Sequence, residues 1–128
     1  MRIDDKKREA VLALPGPKRY SHFIKVAADQ RRVWGLFSDG WAMAGTDEGR
    51  HAFPLWPAAE YALSSALEEW EGYEPREIDL NTLFEVLLPR LREAGDLVAV
   101  FPTPLQKGVF PDLGVLEEDL RRELDRIE

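Results

Sequence analysis

With 128 residues, 45% hydrophobic and 32% charged side chains, the chain has the size and composition of a single domain over 1–128, which excludes a low-complexity or disordered protein. It contains no cysteine, so disulfides and thiolate metal sites are excluded. The net charge of −7, a charged start with no signal-peptide run and no apolar stretch near the ~20 residues of a membrane span lead us to expect an acidic cytoplasmic protein, with no membrane and no nucleic-acid partner.

Asp4 or Asp5 can cap a first helix, with Ile3, Ala10, Val11 and Leu14 near one face, and Pro15-Gly16-Pro17 ends it. A second helix carries Tyr20, Phe23, Ile24 and Ala27 at i, i+3, i+4, i+7 spacing, and the two are expected to pack as a hairpin. Residues 32–38 are rich in β-branched and aromatic side chains and read as a strand. Asp39-Gly40 then predicts a tight turn with positive φ at both positions. The return strand is 41–46, and Asp47-Glu48-Gly49 turns into a third strand over 51–55, with Pro54 at an edge or strand end. These three strands predict an antiparallel meander.

Pro57 opens a third helix, with Ala59, Ala62, Leu63, Ala66, Leu67 and Trp70 on one face, and Gly72 ends it. Residues 73–78 read as extended. Asp79 caps a fourth helix in which Leu80, Leu83, Phe84, Leu87, Leu88 and Leu91 share a face. Pro89 predicts a kink there, and Gly95 marks the end. Residues 97–101 form a short apolar run, read as a buried strand, and Pro102-Thr103-Pro104 stops it. Residues 105–111 carry no clear signal. A last helix bears Leu113, Leu116, Leu120, Leu124 and Ile127 on a narrow stripe, with Glu117–Arg121 and Glu118–Arg122 at i,i+4. The fold class is therefore α+β. An antiparallel or mixed sheet, made of the three-stranded meander plus one or two later strands, is covered by about five helices.

Catalytic patterns are absent from the sequence. Ser21, Ser38, Ser64 and Ser65 sit in no Gly-x-Ser-x-Gly elbow, and no glycine run could cradle a phosphate. His22 and His51 lie twenty-nine positions apart, with no carboxylate at a ligand spacing, so no metal and no cofactor are implied. Charge is uneven: residues 1–50 carry ten basic and seven acidic side chains, residues 51–128 seven and seventeen. The acidic part either steers a basic partner or forms a solvated surface.

Aromatic and proline placement is the unusual feature. Trp34, Trp41 and Trp56 fall around the meander, and Phe53-Pro54-Leu55-Trp56-Pro57 and Phe101-Pro102-Thr103-Pro104 set proline beside an aromatic at strand ends. Side by side, these ends would form an apolar lip, giving Asp39, Trp41, Trp56, Phe101, Thr103 and Lys107 as candidate binding residues. The alternative is that the rings fill the core.

The segments Val33-Trp34-Gly35-Leu36, Asp39-Gly40-Trp41-Ala42, Phe53-Pro54-Leu55-Trp56-Pro57, Tyr73-Glu74-Pro75 and Val100-Phe101-Pro102-Thr103-Pro104, in this order, resemble the bacterial family known as domain of unknown function 2750, over about residues 8–120. The resemblance implies a small bacterial protein of mixed α and β structure and transfers no catalytic residue. The expected function is a non-enzymatic protein-binding module, as a monomer or weak homodimer. A small-molecule binder, or a hydrolase using His51 with Asp39 or Asp47, is the alternative.

Overall fold

The computed structural model describes residues 4–127. Helix α1 (Asp5–Leu12) begins at Asp4, whose carboxylate accepts from the Lys7 amide at 2.8 Å. Ile3, expected on its apolar face, lies outside the described residues. Pro17 sits in the first turn of α2 (Gly16–Gln30), where a missing N–H costs nothing. Its main helical neighbour is the last helix, α6 (Leu113–Ile127), rather than α1. The Tyr20 hydroxyl donates to Asp119 at 2.6 Å across that seam.

The class is α+β as expected, but the strands combine differently from a simple meander. Strand β1 (Arg32–Phe37) runs antiparallel to β4 (Glu74–Asp79), with Arg32 opposite Asp79 and Phe37 opposite Glu74. The short β2 (Ala44–Gly45) pairs antiparallel with β3 (His51–Leu55), and β3 runs parallel to β5 (Leu97–Val100). Trp34 and Trp56 exchange two 2.8 Å backbone hydrogen bonds and so tie the two sheets together.

At the Asp39-Gly40 turn, Phe37 bridges Trp41 around a three-residue loop, and of the two turn residues only Asp39 takes a positive φ (57°). The return strand separates after Ala42, which bonds to Leu36, because at the next position along that edge of β1 Trp34 pairs with Trp56 instead, while β4 takes the opposite edge. Gly35 lets Trp41 lie close on β1: a Cβ there would sit 2.9 Å from the indole ring. Pro54 fits the sheet because Leu55 accepts from the Phe101 amide. Alternation turns the proline nitrogen away from β5, to a side where β2 has already ended.

Helix α3 (Ala59–Ser64) stops well short of Gly72. The Ser64 hydroxyl bonds back to Glu60 O at 3.0 Å, Leu67 is extended, and Glu68 takes φ 52°. A 3₁₀ turn (Glu68–Trp70) then carries Trp70 edge-on to Trp56, with ring centroids 6.1 Å apart. The expected apolar stripe is thereby split, leaving Leu63 and Leu67 exposed.

Asp79 accepts from the Thr82 amide at 2.7 Å and opens α4 (Leu80–Thr82), which continues through a π-helical turn (Leu83–Leu87) into α5 (Leu88–Ala94). Pro89 falls just past that turn, so the expected break takes the form of a local widening. Gly95 (φ 75°) ends the helix. Leu80, Leu83, Phe84, Leu88 and Leu91 are all buried, as their spacing requires. Val33, Leu36, Leu55 and Val100 from the strands and Phe101 just past β5 meet Phe23, Leu116 and Leu120 from the helices in one core.

Candidate functional site

Residues 100–109, for the most part without a sequence signal, form a hairpin. Val100 and Val109 exchange backbone bonds of 2.7 and 2.9 Å, and Thr103 and Gln106 pair further out. Pro104 takes the second position of the four-residue turn, where its fixed φ is favoured. The Thr103 hydroxyl accepts from the amides of Leu105 and Gln106 at 3.3 and 3.1 Å, which stiffens the turn. Gly108 (φ 94°) closes it, since a Cβ would sit 2.9 Å from Val100 O and 3.0 Å from Pro102 N. Leu105 is thereby held at the tip, 94% exposed.

Arg19 braces the hairpin from inside. Although its residue type is usually exposed, it is almost fully buried. Its Nε donates to Phe101 O at 2.8 Å, and its Nη1 donates to Leu14 O at 2.8 Å and to Gln106 Oε1 at 2.7 Å. Burial pulls its pKa below the usual guanidinium value. The Phe101 carbonyl is turned toward it by a positive φ (54°), which bulky side chains rarely adopt. From the other side, the Trp56 indole donates to Pro102 O at 2.8 Å.

Between this hairpin and the 65–70 segment runs a groove of about 450 Å³ that opens to solvent. Trp70, Pro102, Pro104 and Phe110 line it with Leu67 and Leu105, and Glu68, Glu69 and Gln106 supply polar groups. Three large apolar side chains are exposed here: Leu105, Leu67 (53%) and Phe110 (41%). A larger cleft of about 550 Å³ lies between the start of α4 and α6. Of the charged groups lining it, Asp79 caps Thr82, and Arg121 pairs with Glu117 and lies 4.2 Å over the Phe84 ring.

Two of the residues expected at the lip, Thr103 and Lys107, line the groove. Trp56 and Phe101 are wholly buried, the Phe101 ring against Tyr61 and the Trp56 ring against Trp70; neither lines the groove, so they belong to the core and not to an exposed lip. Trp41 is half-buried between Phe37 and Phe53. Asp39 opens onto a separate cleft with Phe37 and Arg76. Lys107 forms an exposed ion pair with Asp47 at 3.0 Å. No hydrogen bond among the described residues joins His51 to Asp39 or Asp47. His22 stands edge-on to Tyr61, and burial, then Lys7 and Lys25, lower its pKa.

Sequence reasoning missed Leu67, Leu105, Phe110 and Arg19. The spacing of Leu67 and Trp70 places them on one apolar face of a continuous helix, which the structure breaks after Ser64. The available signal was a leucine between Pro104 and Gln106, inside a turn sequence where an apolar residue has nothing local to cover it.

The architecture defines a small α+β domain with an open, apolar groove beside a braced hairpin. Residues 20–120 match the family described as "Protein of unknown function (DUF2750)", and the chain belongs to that family. No curated protein matches the chain.

Proposed function

We propose that the protein is a protein-binding module whose groove between the 65–70 segment and the 100–109 hairpin receives an apolar segment of another protein. The observation that carries this reading is the convergence of exposed Leu67, Leu105 and Phe110 on one groove. Exposed apolar groups grouped in this way mark interaction sites, whereas isolated ones need no explanation. The tight turn fixes Leu105 before any partner arrives, which lowers the ordering cost of binding. Open clefts suit a macromolecular segment better than an enclosed small ligand.

The test is a selection of phage-displayed random peptides on the wild-type protein, with Leu105→Asp as counter-selection target. Leu105 covers no core, so the variant should retain its circular dichroism and melting temperature. Peptides that bind the wild type and lose about tenfold or more in affinity on the variant are expected, since a buried apolar anchor contributes ~2 kcal/mol. Peptides that bind both forms equally, or no enrichment at all, would refute the reading.

A further inference from the structure

We infer that the groove's partner segment is a proline-containing, polyproline-II-shaped peptide with an adjacent Lys or Arg; this rests on the protein-binding reading above. Three features of the groove specify that occupant. Its walls are rings: Trp70 and Phe110 with Pro102 and Pro104. Flat ring walls accept the ridges of a polyproline helix, whose shape is already fixed before binding, so little conformational entropy is lost.

The polar groups match as well. The Trp70 indole N–H, on a half-exposed ring, has no hydrogen-bond acceptor among the described residues. Gln106 uses its Oε1 to accept from Arg19, which leaves the N–H₂ end of its amide for a ligand. A proline-rich backbone offers carbonyl acceptors and few N–H donors, since polyproline II makes no internal hydrogen bonds and proline lacks the amide hydrogen. Donors in the groove therefore face acceptors in the ligand. At the rim, Glu68 and Glu69 are exposed, and neither forms an ion pair among the described residues. Two free carboxylates beside an apolar groove select a cation next to the prolines.

The peptides enriched by the selection are sequenced and titrated by isothermal calorimetry. Enriched peptides should carry prolines and a flanking Arg or Lys, and replacing their prolines by Ala should weaken binding about tenfold or more. Trp70→Phe, which keeps the ring against Trp56 but removes the donor, should weaken them about fivefold. The double change Glu68→Lys and Glu69→Lys should prefer peptides in which Glu replaces the flanking Arg. That charge swap cannot arise from unfolding. Enriched peptides that depend on Leu105 but lack proline would overturn this inference while leaving the protein-binding reading in place. Enriched proline peptides indifferent to the Glu68/Glu69 swap would also overturn it. An absence of any Leu105-dependent peptide would remove both.

Discussion

Replacing Arg19 by Met tests how the groove is held. The substitution keeps an unbranched apolar stem out to about the Nε position but removes the guanidinium and its three hydrogen bonds, to Phe101 O, Leu14 O and Gln106 Oε1. Each is worth roughly 1 kcal/mol or more net, and the Phe101 carbonyl is left buried without its partner, so a loss of about 3–5 kcal/mol is the gross effect. Removing a buried cation returns part of this, because its desolvation is no longer required. The net expectation is a destabilisation of about 2–3 kcal/mol, a fall in melting temperature of about 10 °C. Urea denaturation followed by circular dichroism measures it, and hydrogen exchange locates it. The amides of Phe101, Gln106 and Val109 should lose protection ahead of the core strands. A Met variant as stable as the wild type, with unchanged exchange at these amides, would refute the bracing argument and leave Arg19 a tolerated burial.

Tyr20→Phe removes the hydroxyl that joins α2 to α6 and should cost about 1 kcal/mol near neutral pH, measurable by urea denaturation. Burial, then the hydrogen bond to Asp119 and its charge, raise the native Tyr20 pKa well above its ordinary value. The unfolded chain loses that proton near pH 10 while the native state keeps it. The wild-type advantage is therefore fully present below about pH 10 and shrinks as the pH rises from there toward the native value; a constant gap across this range would contradict the assignment. Gly108→Ala should destabilise by about 2 kcal/mol or more, since its φ of 94° and the backbone 2.9 Å away both reject a side chain. Gly45→Ala, in open space, is the control and should leave the melting temperature almost unchanged; equal shifts in the two variants would contradict the turn geometry.

Features set by local chemistry were legible in the sequence. Asp4 and Asp79 cap the helices they precede, Gly95 ends α5, and the apolar run at 97–100 is a buried strand. Each depends on residues within one or two turns of itself. The partner of β1 was not legible, because residues 73–78 lie some forty positions away and carry an alternation too polar to advertise pairing. Nor was the end of α3, where a periodic stripe continues past the point at which Ser64 bonds back and Glu68 turns left-handed. Of the candidate binding residues, Trp56 and Phe101 looked like anchors because a sequence shows that a ring sits beside a proline but not what lies over it. Arg19 looked like an ordinary charged helix position. Its burial is decided by the carbonyls of Leu14 and Phe101, the second of which lies far along the chain.

The strand pairings also bear on the order in which the molecule can assemble. β1 and β3 lie before residue 56, and the strands that complete them, β4 and β5, come after residue 73. The two halves are laced through each other, and neither contains a finished sheet. During N-to-C synthesis Val33, Leu36, Phe53 and Leu55 would wait with open edges until the second half emerged, a window in which such segments seek other partners. Only when Val100 has left the ribosome can β3 acquire its parallel neighbour, so the hairpin that frames the groove is among the last parts to form.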